Sequence, residues 1–197
     1  VLEGKGVYRL NQDWVEVELK AKTAPYYAMR SEIEARALPR LFSRTQTQLI
    51  LGDGCHFVSY PIAGQKRINA VFCASPEKLG PEWQAQLFAP HPILKYVADA
   101  SAQWVKLPLF ANSLPASWRR MQVTLIGDAA HIMPPHLAQG AGQSFEDIVY
   151  LKTQLQEKEL SDALRSMAIL RASQLKSTTS KASLTGQVMR LSGLPAQ

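Results

Sequence analysis

The chain has 197 residues, of which 46% are hydrophobic and 19% charged, and its formal net charge is +6. This composition is typical of a globular protein with a sizeable core and argues against a disordered or fibrous chain. The basic residues are scattered, which disfavours nucleic-acid binding, and no apolar run is long enough to predict a membrane span. Cys55 and Cys73 form no Cys-x-x-Cys pair, which disfavours zinc and indicates a reducing, cytoplasmic setting.

The first half of the chain shows patterns typical of strands. Residues 14–20 alternate apolar and charged side chains, which predicts a half-buried strand. Residues 31–41 have the spacing of a short helix or helical turn. A Gly-Asp-Gly turn at 52–54 separates two apolar runs and a Gly-Gln turn precedes a third. We therefore expect residues 48–73 to form an antiparallel meander with one face covered.

The next stretch mixes helix and strand. Residues 81–102 have helical spacing interrupted by Pro90 and Pro92. Residues 104–109 are predicted to form a strand. Residues 121–126 are a short apolar run of the kind that is buried in a parallel sheet.

Two helices are predicted towards the carboxyl end. The first carries apolar residues on one side, namely Phe145, Ile148, Val149, Leu151 and Leu155. Glu146 and Asp147 are expected in its first turns, where carboxylates suit the helix dipole. Ser161 is a candidate N-cap for a second helix that runs to about Lys176. The Ser/Thr/Lys-rich tail over 177–197 is expected to be partly disordered.

The segment between the last strand and the first of these helices carries the most chemistry. Gly127-Asp128 follows the apolar run and places a carboxylate at the end of a strand, the edge at which open α/β sheets bind ligands. A carboxylate there accepts strong hydrogen bonds from the hydroxyls of a sugar-like ligand. Taken alone, Gly-Asp is also compatible with an ordinary turn.

A glycine-rich entry into the helix follows, at Gln139-Gly-Ala-Gly-Gln143. Gly140 and Gly142 permit close approach of a ligand to the backbone. The free N–H groups at the start of a helix carry partial positive charge and stabilise an anion. Pro134-Pro135 stiffens the intervening loop and removes two N–H donors. Each signal alone is also compatible with a structural loop.

Together these residues resemble a known motif. The order Gly-Asp-Ala-Ala-His, Pro-Pro, Gln-Gly-Ala-Gly-Gln-Ser and Glu-Asp is similar to the second flavin-binding motif of FAD-dependent aromatic hydroxylases of the para-hydroxybenzoate and salicylate hydroxylase type. The resemblance implies that Asp128, after Gly127, binds the ribityl chain of FAD. It implies that amides at Ala141 and Gly142, after Gly140, contact the flavin ring. It places Pro134 and Pro135 over that ring near the substrate.

The resemblance also implies a fold and an activity. The expected fold class is α/β (α+β), with an antiparallel substrate-binding sheet and helices joined to a partial parallel strand of the FAD domain and C-terminal helices. The implied activity is hydroxylation of a small aromatic substrate with FAD, NADH or NADPH, and molecular oxygen. Weaker sequence similarities extend the resemblance to roughly residues 24–176. They suggest Arg30, His56, Tyr60 and Pro135 as substrate contacts, although a solvent-facing His56 and a packed Tyr60 explain that strand equally well.

The chain departs from the family at its beginning. It has no Gly-x-Gly-x-x-Gly turn for the ADP half of FAD and lacks the family's middle Asp-Gly motif. We therefore expect the C-terminal part of a hydroxylase, with a missing N-terminal half or a homodimer as possible partners. The expected divisions are a remnant FAD-domain strand region over 1–22, with a surviving strand at Val7–Leu19, a substrate domain over 23–118, the FAD motif and helix over 119–155, and a C-terminal helix and tail over 156–197.

Other functions were weighed against this one. Asp128, His131 and His136 fit no common metal-ligand spacing, so no metal is expected. The chain has no Gly-x-Ser-x-Gly elbow, which disfavours a hydrolase. A non-catalytic domain that binds an apolar ligand or a partner chain without FAD remains the main alternative. Flavin chemistry of another kind, such as epoxidation or drug inactivation, is also open.

Overall fold

The computed structural model describes residues 3–10, 13–20, 22–42, 45–88, 91–100, 103–111, 119–120 and 123–191. The chain divides into two compact units. One comprises Val1–Thr23 and Phe110–Gly186, and the other comprises Ala24–Leu109 and Gln187–Gln197. No helix among the described residues is both long and apolar enough to cross a bilayer.

The second unit is built on a five-stranded sheet. Its strands are β3 (Lys22–Glu34), β4 (Gln48–Gly52), β5 (Cys55–Ile62), β6 (Arg67–Ala74) and β7 (Val105–Ala111), in the order β4-β5-β6-β3-β7. The β4-β5, β5-β6 and β6-β3 pairs are all antiparallel, so the meander predicted over 48–73 is confirmed.

One face of this sheet packs on aromatic side chains from the short helix α1 (Trp83–Leu87) and its flanks and on aliphatic side chains from the short helix α2 (Leu94–Ala100). The rings of Phe72 and Trp83 stack with centroids 5.4 Å apart, and Phe88 meets both edge-on. Such offset and edge-to-face pairs add to the stabilisation that area burial gives. This cluster is the hydrophobic core of the second unit.

The structure corrects the prediction of a helix over 31–41. Strand β3 continues to Glu34, and a 3-10 turn covers only Ala35–Ala37. Met29, Ser31 and Ile33 are buried and alternate with exposed neighbours. The spacing of apolar residues over so short a segment is compatible with both a strand and a helix. The antiparallel pairing with β6 shows that residues up to Glu34 form a strand.

The first unit begins with a hairpin of β1 (Glu3–Leu10) and β2 (Asp13–Lys20). The strand predicted over 14–20 is therefore confirmed, but a single surviving strand from Val7 to Leu19 was wrong, because the chain reverses within that range. The segments β8 (Arg119–Arg120) and β9 (Val123–Thr124) pair antiparallel. Within the apolar run at 121–126, Val123–Thr124 thus pairs antiparallel, and no parallel partner is found among the described residues; an apolar run indicates a strand but not the direction of its partner.

The helices of the first unit are α3 (Asp128–His131), α4 (Gly140–Glu157) and α5 (Leu160–Val188). The prediction of a helix that starts near Ser161 is confirmed, since α5 begins at Leu160, but Ser161 is not its N-cap, because the Glu159 carbonyl already accepts hydrogen bonds from Asp162 and Ala163. The predicted end was wrong, since the helix continues to Val188 through the segment expected to be partly disordered. Its buried positions in that segment include Ala182 and Gly186, and this packing overrides the polar composition.

Helix α4 buries its polar face and exposes its apolar face, which is the reverse of the usual amphipathic helix. Its buried residues are Gln143, Asp147 and Gln154, whereas Phe145 and Val149 are 70% and 62% exposed. The apolar stripe read from the sequence therefore lies on the solvent side. The placement expected for Glu146 and Asp147 was also wrong: no acidic residue occupies the first turn, and Asp147 lies about two turns into the helix.

Candidate flavin-binding site

The turn before helix α3 requires glycine. Gly127 has φ +58° and ψ −145°, a backbone conformation essentially reserved for glycine. A Cβ atom at this position would lie 2.9 Å from Oγ of Ser144 on α4. The turn is therefore packed closely against α4, and it leaves the next residue, Asp128, exposed at the start of α3.

Asp128 and the beginning of α4 lie side by side. A Cβ built on Gly140 would be 3.8 Å from Oδ1 of Asp128. The N-cap residue Gln139 makes no capping hydrogen bond with its side chain, and the first N–H groups of an α-helix have no acceptor within the helix. Ala141 and Gly142 are exposed. One carboxylate acceptor and a set of positively polarised donors thus border the same surface, where they can bind hydroxyls and an anionic ring edge.

The Pro-Pro loop is anchored at one end and open at the other. Met133 is buried with Ala130 and Leu175, and Pro134 is also buried. Pro135 is exposed and begins a 3-10 turn over Pro135–Leu137. This arrangement fixes the loop while leaving Pro135 accessible to a ligand.

Beneath the turn lies a buried charged network centred on Asp147. Oδ2 of Asp147 lies 2.8 Å from the Gly127 amide nitrogen and 2.7 Å from Nε2 of His131. Oδ1 accepts a hydrogen bond of 2.8 Å from Nε of Arg171. The remaining Arg171 nitrogens donate to Gln143, Glu146 and Gln174. The network ties the turn, α4 and α5 together.

The network keeps the Asp147 carboxyl ionised. Burial by itself raises the pKa of this group, but hydrogen bonds from His131, the Gly127 amide and Arg171 outweigh burial, so the pKa lies below its ordinary value. An ionised carboxylate can only accept hydrogen bonds. It follows that Nε2 of His131 carries its proton in this arrangement.

Sequence analysis missed the roles of Asp147 and Arg171. The polar residues Gln143, Asp147 and Gln154 follow helical spacing and so share one face of the helix. A polar helix face is normally exposed to solvent, so this spacing did not predict a buried network. His131 had been weighed only as a metal ligand. Among the described residues, no group of three or more His, Cys, Asp or Glu side chains is arranged to bind a metal ion.

The substrate candidates Arg30, His56 and Tyr60 share the face of the five-stranded sheet that is turned away from the aromatic core. The register aligns His56 with Cys73 and Tyr60 with Asn69 on β6, and Arg30 with Val71. His56 is 3% exposed, so the alternative of a solvent-facing histidine was wrong. Tyr60 is half-buried.

Arg30 alone of these three lines a groove of about 520 Å³ on that face. The groove is lined by Arg30, Ser31, Glu32, Arg67, Gln103, Val105 and Leu107. Nε of Arg30 donates to Oδ1 of Asn69 over 2.6 Å, and Glu32 lies between the two guanidinium groups. Val105 and Leu107 add exposed apolar surface. The groove combines apolar surface with two guanidinium groups that are paired with Glu32, and such a mixture of apolar and polar lining is typical of small-molecule sites.

Comparisons with known proteins agree with the flavin motif. Residues 89–169 match the family model described as an FAD binding domain. The chain is 30% identical over 186 residues to 3-amino-4-hydroxybenzoate 2-monooxygenase PtmB3 of Streptomyces platensis, covering 85% of this chain and 46% of that protein. It is 31% identical over 135 residues to 3-hydroxybenzoate 6-hydroxylase 1 of Aquipseudomonas alcaligenes, covering 64% and 34%.

Solved structures share the fold. A salicylate hydroxylase substrate complex matches with a TM-score of 0.73 at 20% identity, covering 87% of this chain and 49% of that chain. The 2,6-dihydroxypyridine-3-hydroxylase from Arthrobacter nicotinovorans matches with a TM-score of 0.75 at 15% identity, covering 96% and 67%. The predicted mixed fold, an antiparallel sheet with helices, is confirmed.

The matched domain model covers residues 89–169, and the chain is similar over most of its length to aromatic hydroxylases and monooxygenases. These similarities relate the chain to FAD-dependent aromatic hydroxylases. It spans about a third to a half of the length of the curated relatives it matches.

Proposed function

We propose that the protein carrying this chain hydroxylates a small aromatic substrate, using FAD, molecular oxygen, and NADH or NADPH as reductant. The relatives named above are hydroxylases and monooxygenases of aromatic compounds. The observation that carries the proposal is the position of the Asp128 carboxylate beside Gly140 at the start of α4. The match to an FAD-binding domain favours this function over a domain that binds no flavin.

The residues at this position fit FAD. Asp128 would accept hydrogen bonds from the ribityl hydroxyls, and the exposed amides at Ala141 and Gly142 would donate to the ring. Pro135 would line the ring near the substrate, with Pro134 fixing the loop. Bound FAD would supply the redox chemistry, and the protein would supply orientation and charge stabilisation.

For the substrate, we propose an aromatic acid recognised in the groove that Arg30 lines, on the face of the five-stranded sheet turned away from the aromatic core. The Nη atoms of Arg30 would pair with the carboxylate, since hydrogen bonds between charged groups are strong. Val105 and Leu107 would contact the ring. Tyr60 and the buried His56 would act from β5, which β6 separates from the strand of Arg30. A reducing, cytoplasmic setting is proposed because Cys55 and Cys73 are both free.

Titration of the purified chain with FAD tests the cofactor site. We expect the flavin fluorescence to be quenched on binding, and Asp128→Asn to weaken binding roughly tenfold or more, because charge-assisted hydrogen bonds are lost. Asp99→Asn, an exposed carboxylate on α2, is the matched control and should bind as the wild type does. Equal affinities for Asp128→Asn and the wild type would refute the role of Asp128.

Steady-state kinetics of the protein that carries this chain test the activity. Reduced nicotinamide and oxygen should be consumed together when an aromatic acid is present. Arg30→Met should raise KM for the acid with little change in kcat, whereas Arg36→Met, an exposed arginine after β3, should change neither. No oxygen uptake with any of a panel of hydroxybenzoates and aminobenzoates would count against hydroxylation.

A further inference from the structure

We propose that Asp147 is the positioning residue of the flavin-contacting turn, because its carboxylate fixes Gly127 and thereby the direction in which Asp128 points. This inference rests on the proposed FAD site. The Asp147 side chain is buried inside the first unit and is not itself proposed to contact the flavin. Asp147 affects flavin binding only by setting the position of Asp128.

The geometry gives Asp147 direct control of the turn. One oxygen, Oδ2, binds both the amide of Gly127 and the ring of His131, which are the residues that flank Asp128-Ala-Ala at its two ends. Helix α3 is only four residues long, so these two bonds hold both of its ends. Gly127 is in a conformation that costs free energy unless the surroundings impose it.

A carboxylate is needed at this position, and an amide does not replace it. The three donors around Asp147 are the Gly127 N–H, His131 Nε2 and Arg171 Nε. An ionised carboxylate accepts from all three. An asparagine could keep its carbonyl oxygen towards Gly127 and His131, but its NH₂ group would then face Arg171 Nε and leave that buried donor without an acceptor, which is costly. An alanine removes the acceptor of all three donors and is therefore the variant that tests the contact with Gly127.

The neighbouring carboxylate provides a matched control. Glu146 also binds Arg171, through Nη1 at 2.8 Å, but its side chain is about half exposed whereas that of Asp147 is fully buried. Glu146 therefore shares the ion pair with Arg171, and Asp147 additionally reaches the turn. Glu146→Ala and Asp147→Ala remove the same charge from adjacent positions.

The first experiment needs no flavin. Amide hydrogen exchange, followed by NMR, should show the Gly127 amide exchanging at least about tenfold faster in Asp147→Ala than in the wild type. In Glu146→Ala the Gly127 amide should keep its protection. The Ala163 amide in α5 serves as an internal reference for global stability. A folded Asp147→Ala variant with unchanged protection at Gly127 would overturn the proposal.

The second experiment is a double-mutant cycle on FAD binding. Asp147→Ala should weaken FAD binding roughly tenfold, and the double variant Asp128→Asn/Asp147→Ala should bind little worse than Asp128→Asn alone. Such non-additivity is what a residue acting through another produces. Fully additive losses would show that Asp147 acts independently of Asp128 and would overturn the inference.

Two further arms keep the test decisive. If Asp147→Ala does not fold, Asp147→Ala/Arg171→Gln removes both buried charges and still lacks the acceptor at Gly127; the same loss of protection is expected. If that variant also fails, the wild type must show scalar coupling between the Gly127 nitrogen and the Asp147 carboxylate carbon, and its absence overturns the proposal. If the protein that carries this chain binds no FAD, the proposed function is contradicted, whereas the exchange experiment still decides the role of Asp147.

Discussion

Arg171 and Asp147 form an ion pair in which Nε and Oδ1 are 2.8 Å apart and both side chains are fully buried. The two residues lie 24 positions apart, on α5 and α4. The interior of the first unit is therefore polar where these helices meet. Removing one of two paired buried charges leaves the other without its partner and destabilises the protein. The pair therefore predicts how substitutions and acid change the stability of the chain.

Removing the cation should destabilise the protein strongly. Arg171→Met leaves the Asp147 carboxylate buried without its partner, and we expect a loss of about 3–5 kcal/mol in the free energy of unfolding. Glu146→Gln removes the partly exposed member of the network and should cost less than about 1 kcal/mol. Urea denaturation measures both. Similar losses in the two variants would contradict the central place given to the buried pair.

Acid should abolish the contribution of Asp147. Because the pKa of its carboxyl is lower in the folded chain than the ordinary value of 3.8, its stabilising effect is present above that value and is lost as the pH falls through the lowered folded value. We expect the stability difference between the wild type and Asp147→Asn to be constant at neutral pH and to shrink below about pH 4. Urea denaturation at a series of pH values tests this. A difference that does not change down to about pH 2 would argue against an ionised Asp147.

A side chain at Gly127 should strain the turn. Gly127→Ala combines a positive φ with a Cβ 2.9 Å from Ser144 Oγ, and we expect a cost of about 2–3 kcal/mol. Gly64→Ala has a similar φ of +63° but meets no atom within 4 Å, so it should cost about 1 kcal/mol. Thermal unfolding compares them. Adding Ser144→Ala to Gly127→Ala should recover part of the loss, and no recovery would exclude the clash.

Cys73 should resist alkylation in the folded protein. Burial raises the pKa of its thiol to about 11, although Arg190 acts in the opposite direction. At pH 8 the reactive thiolate is then about a thousandth of the population, compared with about a tenth at the ordinary value of 9.0. Mass spectrometry after iodoacetamide treatment should show slow labelling in buffer and fast labelling in urea. Rapid labelling of the folded chain would contradict this burial.

Local signals predicted much of the fold. The turn at Gly52-Asp53-Gly54 and the alternation on both sides of it gave the β4-β5 hairpin, because turn chemistry and a period of two are properties of neighbouring residues. The extension of β3 to Glu34 could not be predicted in this way, because it depends on the distant strand β6 that lies alongside. The antiparallel pairing of Val123–Thr124 with Arg119–Arg120 is local, but segments of two residues carry too little pattern to indicate their partner.

The sequence by itself determined the turn at Gly127-Asp128 and the glycine-rich start of α4, since both depend on what the local backbone can adopt. Only the tertiary structure decided that Asp147 lies inside and Phe145 outside on the same helix. Helical spacing gives two faces but does not say which one meets Arg171. The charge of that arginine, brought in from α5, selects the polar face as the buried one, because a buried cation requires acceptors.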